Sequence, residues 1–232
     1  MRPDDIPEIR ELDLFREMAD ENFEILVRGA YVQTFPPQVE LITEGDAPGF
    51  LHIVVSGSIE LIASWNERET SMATIRPIST FILAATIKDA PYLMSARTIE
   101  KSRVIMLPSV DVRSVFDRDS DFARAVVTEL AHCYRSVVKN TKNLKLRTSL
   151  ERLANFILRC HFRNEEAVEF ELPSEKRRLA SLLGMTPENL SRAFKALRPY
   201  GVEIDGTQVR ITNLDDLRLL AKPSPLIDDS AT

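Results

Sequence analysis

"LASLLGMTPENLSRAFKAL", residues 179–197, reads as two short helices joined by a turn. Leu179, Leu182 and Leu183 give the first helix an apolar face. Gly184 permits the positive φ that ends it. Thr186 is an N-cap residue type, and Pro187 suits the first helical position, where a missing N–H does no harm. Leu190, Phe194 and Leu197 then recur at i, i+4 and i+7 and face inward. The outward face at the start of the second helix carries Glu188, Asn189, Ser191 and Arg192. This is the outline of a helix-turn-helix.

Those outward residue types suit the edges of bases in a major groove. Arg192 can donate two parallel bonds to guanine O6 and N7, Glu188 can accept from a cytosine amine, and Ser191 adapts to a thymine edge or a phosphate. Thr186, Asn189, Lys195, Lys176, Arg177, Arg178 and Arg198 are candidates for the DNA backbone. The plain alternative is a solvated helix with ordinary surface charges. The next segment, "VEIDGTQVRIT" (202–212), reads as a hairpin turning at Asp205-Gly206, and it supplies the wing that often follows such a pair of helices.

Upstream, "TSLERLANFILRCHF" (148–162) has helical spacing and "VEFELP" (168–173) reads as a short strand. Before them, "DSDFARAVVTELAHCYRSVVKNTKNLKL" (119–146) is one long helix, with Asp119 or Ser120 able to cap it. Val126, Leu130, Cys133, Val137, Asn140 and Leu144 recur in steps of four and three, which keeps one stripe facing a partner. A helix this long exceeds what a small domain covers, so the stripe is expected to be a dimer seam with Asn140 setting register. Packing within its own chain is the competing reading.

Residues 41–107 read as β-structure. "FLHIVV", "SGS" and "IELIAS" (50–64) form two strands about a tight turn, and "WNERET" (65–70) is a polar connection to "SMATI". "RTIEKSRVIML" (97–107) is a hairpin-like pair. Strands at this spacing suggest a jelly-roll barrel. "LDLFREMADENFEILVRGA" (12–30) in front of them is helical with a break near Asp20. The expected fold is α+β: a sensing barrel at 1–118, a dimerisation helix at 119–146, a winged helix-turn-helix at 147–222 and a flexible tail at 223–232.

The net charge of −5 hides an asymmetry. Residues 1–120 hold 12 Lys and Arg against 20 Asp and Glu, a balance of −8, whereas 121–232 hold 18 against 15, a balance of +3. The second part suits a polyanion. The longest uncharged stretches fall short of the roughly 18 apolar residues that cross a bilayer, and the N-terminus lacks a signal-peptide core, so no membrane partner is expected. Cys133 and Cys160 make no metal spacing and no disulfide framework, which fits a cytoplasmic chain. A barrel metalloenzyme would need convergent histidines, and only His52 lies in the barrel half. No P-loop, G-x-S-x-G or H-E-x-x-H is present, so the chain is not expected to be an enzyme.

The whole order resembles the CRP/FNR superfamily of bacterial transcription regulators. The resemblance rests on "GFLHIVVSGSIEL" (49–61), the long helix and "LASLLGMTPENLSRAFKAL", and it covers nearly the entire chain. It implies a cyclic-nucleotide-binding-like barrel, a symmetric dimer and a palindromic DNA site, with RNA polymerase as a further partner. Glu188, Ser191 and Arg192 match the Glu-x-x-Ser-Arg of the FNR side, which implies TTG-type half-sites. Pro187 stands where cyclic-AMP receptors carry another base-reading arginine.

Cyclic-AMP binders of this family use a Gly-Glu pair and an Arg-Ser pair. Here Leu83-Ala84 and Met94-Ser95 occupy those places, which argues against cyclic AMP, although Arg97 lies nearby as an unconventional cation. Two cysteines do not ligate an iron–sulfur cluster in the usual way. Heme stays open, with His52 as candidate ligand and His132, His161, Met72, Met94 and Met106 as the remaining donors. "STFILAATIKDAPYLMSAR" (79–97) resembles the nitrogen-oxide-responsive members, which implies control of anaerobic or denitrification genes. A cyclic-nucleotide-responsive regulator of the same fold, or an interaction module that does not bind DNA, is the alternative.

Overall fold

The computed structural model describes residues 6–172 and 175–229. The chain forms two compact units that divide between Cys133 and Tyr134.

In the first unit, α1 (Ile6–Arg10) and α2 (Asp20–Gly29) precede eight strands. These are β1 (Tyr31–Phe35), β2 (Glu40–Ile42), β3 (Phe50–Ser56), β4 (Ile59–Trp65), β5 (Arg68–Ile75) and β6 (Ser79–Phe81), then α3 (Leu83–Lys88), β7 (Ser95–Thr98) and β8 (Ser102–Pro108). Two antiparallel sheets result, in the orders β1-β8-β3-β6 and β2-β7-β4-β5. Side-chain alternation along β3 explains its nearly continuous apolar run. Val54 packs between the sheets with Ile59, Leu61, Phe81, Ala96 and Val104. Leu51 and Ile53 pack instead with Phe15, Met18, Phe23, Leu26 and Phe122 from the covering helices.

The turn after β3 needs glycine. Gly57 has φ +82°, and a Cβ there would lie 2.5 Å from the Lys101 carbonyl. The expected polar connection at 65–70 is far shorter than its sequence suggests. Asn66 and Glu67, at φ 53° and 65°, form a two-residue hairpin turn, and Arg68 already belongs to β5. This leaves Trp65 84% exposed at the hairpin's end. The expected hairpin at 97–107 is not one. β7 pairs with β2 and β4 while β8 pairs with β1 and β3, so the turn between them carries the chain from one sheet to the other.

After α4 (Ser109–Phe116), α5 runs from Ser120 to Leu146, about 40 Å at 1.5 Å per residue. Asp119 caps its start: Oδ1 accepts from the N–H groups of Asp121 and Phe122. Its Oδ2 accepts from Ala19 N–H and Asn22, which ties the entry to α2 to the same carboxylate. Rather than standing apart as a separate dimerisation element, α5 is shared: its first turns bury Phe122 and Val126 in the barrel unit's core, and its residues from Tyr134 onward belong to the second unit.

The second unit continues with α6 (Ser149–Arg163), started by a capping box between Thr148 and Glu151. β9 (Glu169–Glu171), α7 (Lys176–Leu182), α8 (Pro187–Ala196), β10 (Val202–Asp205), β11 (Gln208–Ile211), α9 (Leu214–Ala221) and α10 (Pro225–Asp228) follow. The strands form one sheet in the order β10-β11-β9. Leu153, Ile157, Leu179, Leu190, Phe194, Leu197, Val209 and Leu217 share its core. The expected loose tail is corrected over 223–229. Pro225 starts a helical turn there, and Asp228 pairs with Arg147 and Arg159. Residues 230–232 of that tail lie outside the described residues.

Candidate nucleic-acid interface

α7 and α8 form the two helices read from the sequence. Leu179, Ala180 and Leu183 are buried, with Leu182 only partly so. Gly184 has φ +61°, and a Cβ there would lie 2.7 Å from Leu144 Cδ2. The Thr186 hydroxyl accepts from Asn189 N–H at 3.2 Å, and Pro187 occupies the first turn of α8. Leu190, Ala193 and Phe194 anchor α8 in the core.

This anchoring leaves Glu188, Asn189, Ser191, Arg192 and Lys195 exposed along α8. The Ser191 hydroxyl donates to the Pro187 carbonyl at 2.9 Å, so its lone pairs remain for an outside donor. Glu188 accepts from its own N–H and from the Thr186 hydroxyl, and with Arg192 nearby its carboxyl is held below the ordinary value. It is therefore an ionised acceptor one helical turn from the Arg192 guanidinium. Lys176 and Arg177 are exposed in the first turn of α7, and Arg178 is half-buried beside them. Arg198 stands past α8 in a hollow of about 690 Å³ shared with Glu169, Glu203 and Arg210 of the wing sheet. Glu169 there pairs with Arg210, and Arg198 lies just beyond the C-terminal end of α8.

The sequence reading missed Arg152. Its side chain is buried at the root of α6 and acts as a hub. Nε donates to the Leu183 carbonyl at 2.7 Å and Nη2 to the Gly184 carbonyl at 3.2 Å. Nη1 donates to the carbonyls of Arg147 at 2.7 Å and Leu144 at 3.4 Å. One guanidinium thus joins the end of α5 to the turn that precedes α8. Burial lowers its pKa, and four carbonyls still satisfy it as a cation. The available signal is a charge within the apolar register of "ERLANF".

The expected dimer seam needs one correction. Val126 is fully buried in its own unit, because the first turns of α5 lie on the barrel, and Leu130 packs partly against the same core. Cys133, Val137, Asn140 and Leu144 are exposed, as are Val127 and Tyr134. The open apolar stripe therefore runs through Val127, Leu130, Tyr134 and Val137, one position round from the reading that used Val126 and Cys133.

In the barrel, Leu83 is buried toward the helices, Ala84 is exposed, and Met94 packs partly against the space between the sheets. Arg97 is not an unconventional partner for a buried phosphate. Ala96 and Thr98 face inward, so alternation turns Arg97 outward, where it pairs with Glu40 at 3.7 Å and lies opposite Glu60 in register. Among the described residues, the buried acidic and basic side chains of this unit are His52 and Asp119.

His52 stacks on Phe81 at 5.1 Å and stands edge-on to Phe50. Burial pushes its pKa down to about 4, against a smaller opposing effect of the Phe50 backbone, so the ring is neutral at physiological pH. Its Nδ1 is buried without a hydrogen-bond partner. One ring face is taken by Phe81, and Met106 is the cross-strand neighbour of His52. His132 is exposed on α5, and His161 belongs to the second unit, bonded to the Ala167 carbonyl. Among the described residues, no group of three His, Cys, Asp or Glu side chains is placed to hold a metal ion.

The sequence matches two families: the cyclic nucleotide-binding domain over residues 32–119 and the Crp-like helix-turn-helix domain over residues 151–220. Potassium channel AKT2/3 of Arabidopsis thaliana is 32% identical over 71 residues, which are 31% of this chain and 9% of the channel. The chain spans less than a fifth of each of the plant potassium channels it matches. Transcriptional activator protein FnrA of Stutzerimonas stutzeri is 23% identical over 193 residues, 81% of this chain and 78% of FnrA. The structure of FixK2 from Bradyrhizobium japonicum superposes with a TM-score of 0.69 at 23% identity, covering 84% of this chain and 98% of that one. The chain thus carries a nucleotide-binding-type barrel, a long helix and a Crp-like helix-turn-helix domain in this order, an arrangement similar to that of CRP/FNR-type regulators.

Proposed function

We propose that the protein is a homodimeric, sequence-specific DNA-binding regulator that reads TTG-type inverted repeats through α8. One observation carries this reading: the first two turns of α8 hold Glu188, Ser191 and Arg192 solvent-exposed on a capped, core-anchored helix. Lys195, Lys176, Arg177, Arg178, Thr186 and Asn189 complete the surface toward phosphates. The exposed stripe of α5 around Tyr134 and Val137 is the self-association face. FnrA's description as a transcriptional activator supports the assignment, and RNA polymerase is the expected further partner. Among the described residues no helix is long and apolar enough to cross a membrane.

Binding of fluorescent duplexes, followed by anisotropy across a salt series, tests the reading. The inverted repeat should be preferred over a scrambled duplex, with affinity falling steeply as salt rises. Equal binding to both duplexes would overturn it.

The signal is a ligand other than cyclic AMP, since a cyclic phosphate between the sheets would meet no buried Lys or Arg among the described residues. Nitrogen-oxide response, with control of anaerobic or denitrification genes, rests on the character of residues 79–97. Anaerobic DNA binding with and without nitric oxide, and calorimetry with cyclic AMP, separate the two. Heat of binding with cyclic AMP would restore the nucleotide-responsive alternative.

A further inference from the structure

Only Arg147 and Thr148 separate α5 from α6, so the dihedrals of two residues set the angle between the helices. The side chain of Arg147 is not free to follow them. Its Nη1 and Nη2 donate to the two carboxylate oxygens of Asp228 at 2.7 and 2.6 Å, and Nη1 also to Asn143 Oδ1 at 3.1 Å. Arg159 of α6 donates to the same carboxylate at 3.3 Å, and Ser224 N–H donates to it at 2.8 Å. Lys139, two turns back on α5, donates to the Asp229 carbonyl at 2.8 Å. The side chains of Arg147 and Asp228 are 8% and 12% exposed. Two-pronged geometry at this burial is the strong form of a guanidinium–carboxylate pair, and removing one partner strands a desolvated charge.

We infer that residues 222–229 are a strap, and that Asp228 is a positioning residue which fixes the angle at which the DNA-reading unit leaves α5. One carboxylate holds the end of α5 through Arg147 and the middle of α6 through Arg159. The carboxylate is ionised in this role, because Arg147, Ser224 N–H and Arg159 together outweigh the upward push of burial and hold its pKa below the ordinary value. Because α6 carries the core on which α8 sits, the strap sets where α8 points relative to the part of α5 from Tyr134 onward. This rests on the proposed DNA-binding reading.

The test uses the full chain as wild type, Asp228→Asn and Asp228→Glu. Amide hydrogen exchange is measured at residues 143–150. Affinity is measured for a single half-site, for the inverted repeat, and for a repeat whose half-sites are shifted by about half a helical turn. Asp228→Asn should speed exchange by about tenfold or more, since local opening reports the lost contacts. It should also bring the two repeats toward equal affinity while the single half-site is bound as before. Asp228→Glu, which keeps the charge, should recover part of the spacing preference. A plain loss of stability would weaken all three duplexes alike and spare the ratio. Unchanged exchange overturns the strap, and faster exchange with an unchanged spacing ratio overturns the positioning role. If the wild type binds neither repeat, the DNA reading itself fails, and exchange still decides whether the strap exists.

Discussion

Arg152 Nε donates to the carbonyl of Leu183 at 2.7 Å, across 31 residues of sequence. Leu183 ends the first helix of the DNA-reading pair, and the same guanidinium bonds the carbonyls of Arg147 and Leu144. The turn before α8 and the end of α5 are thereby one rigid piece.

Arg152→Ala leaves those carbonyls without their donor and opens a cavity. It should destabilise the DNA-reading unit by about 2–4 kcal/mol. Arg152→Lys, which has no planar fork, should recover only part of this. Chemical denaturation checks both, and a loss below about 0.5 kcal/mol for Arg152→Ala would contradict the hub, since that is the range of plain surface changes.

Arg192→Ala should weaken specific binding by about 1–3 kcal/mol and relax preference at the guanine of the half-site. Lys195→Ala should instead weaken all duplexes similarly and reduce the salt slope by about one. Competition binding with single-base variants distinguishes them. An equal loss for Arg192→Ala on specific and scrambled DNA would remove its base-reading role.

Asp119 carries a pH prediction. Burial raises its pKa, but hydrogen bonds from Phe122 N–H, Asn22, Ala19 N–H and Asp121 N–H outweigh that and hold the carboxyl below its ordinary value. A depressed folded pKa contributes stability above the unfolded value, near 3.9, that is lost as pH falls through the folded one. Asp119→Ala should therefore destabilise the barrel unit at neutral pH, by about 1–3 kcal/mol for two lost helix-end attachments. The difference from wild type should shrink as pH falls below about 4. Urea unfolding across that range checks the sign; a gap that widens in acid would contradict the assignment.

Val126 lies in the core and Tyr134 on the proposed seam. Val126→Ala should destabilise the barrel unit by about 1–3 kcal/mol with self-association unchanged. Tyr134→Glu should leave that core intact and dissociate the dimer. Sedimentation beside thermal unfolding gives both readouts. A dimer unaffected by Tyr134→Glu would place the seam elsewhere.

The sequence made short-range features readable. Leu190, Phe194 and Leu197 betray the buried side of α8 by spacing, Thr186 and Pro187 mark its start, and Asp119 is recognisable as a cap. What stayed hidden depends on distant parts of the chain. A seam repeating every 3.5 residues and a core stripe repeating every 3.6 differ by about 20° per heptad, so Val126 fits both until the barrel beneath it is seen. The turn after Thr98 looks the same whether the chain folds back within one sheet or crosses to the other. Asp228 in a Pro-containing polar stretch carries no sign of Arg147, 81 residues earlier. Arg152 was visible as a letter, but four carbonyl acceptors leave no trace in side-chain identity.

The two-residue turn at Asn66–Glu67 has a practical consequence. It holds the chain's single tryptophan, Trp65, out in water at the rim of a well-formed hairpin. Its intrinsic fluorescence is therefore an unlabelled gauge of that rim. Any effector, second copy or duplex that shields the indole will shift its emission to shorter wavelength.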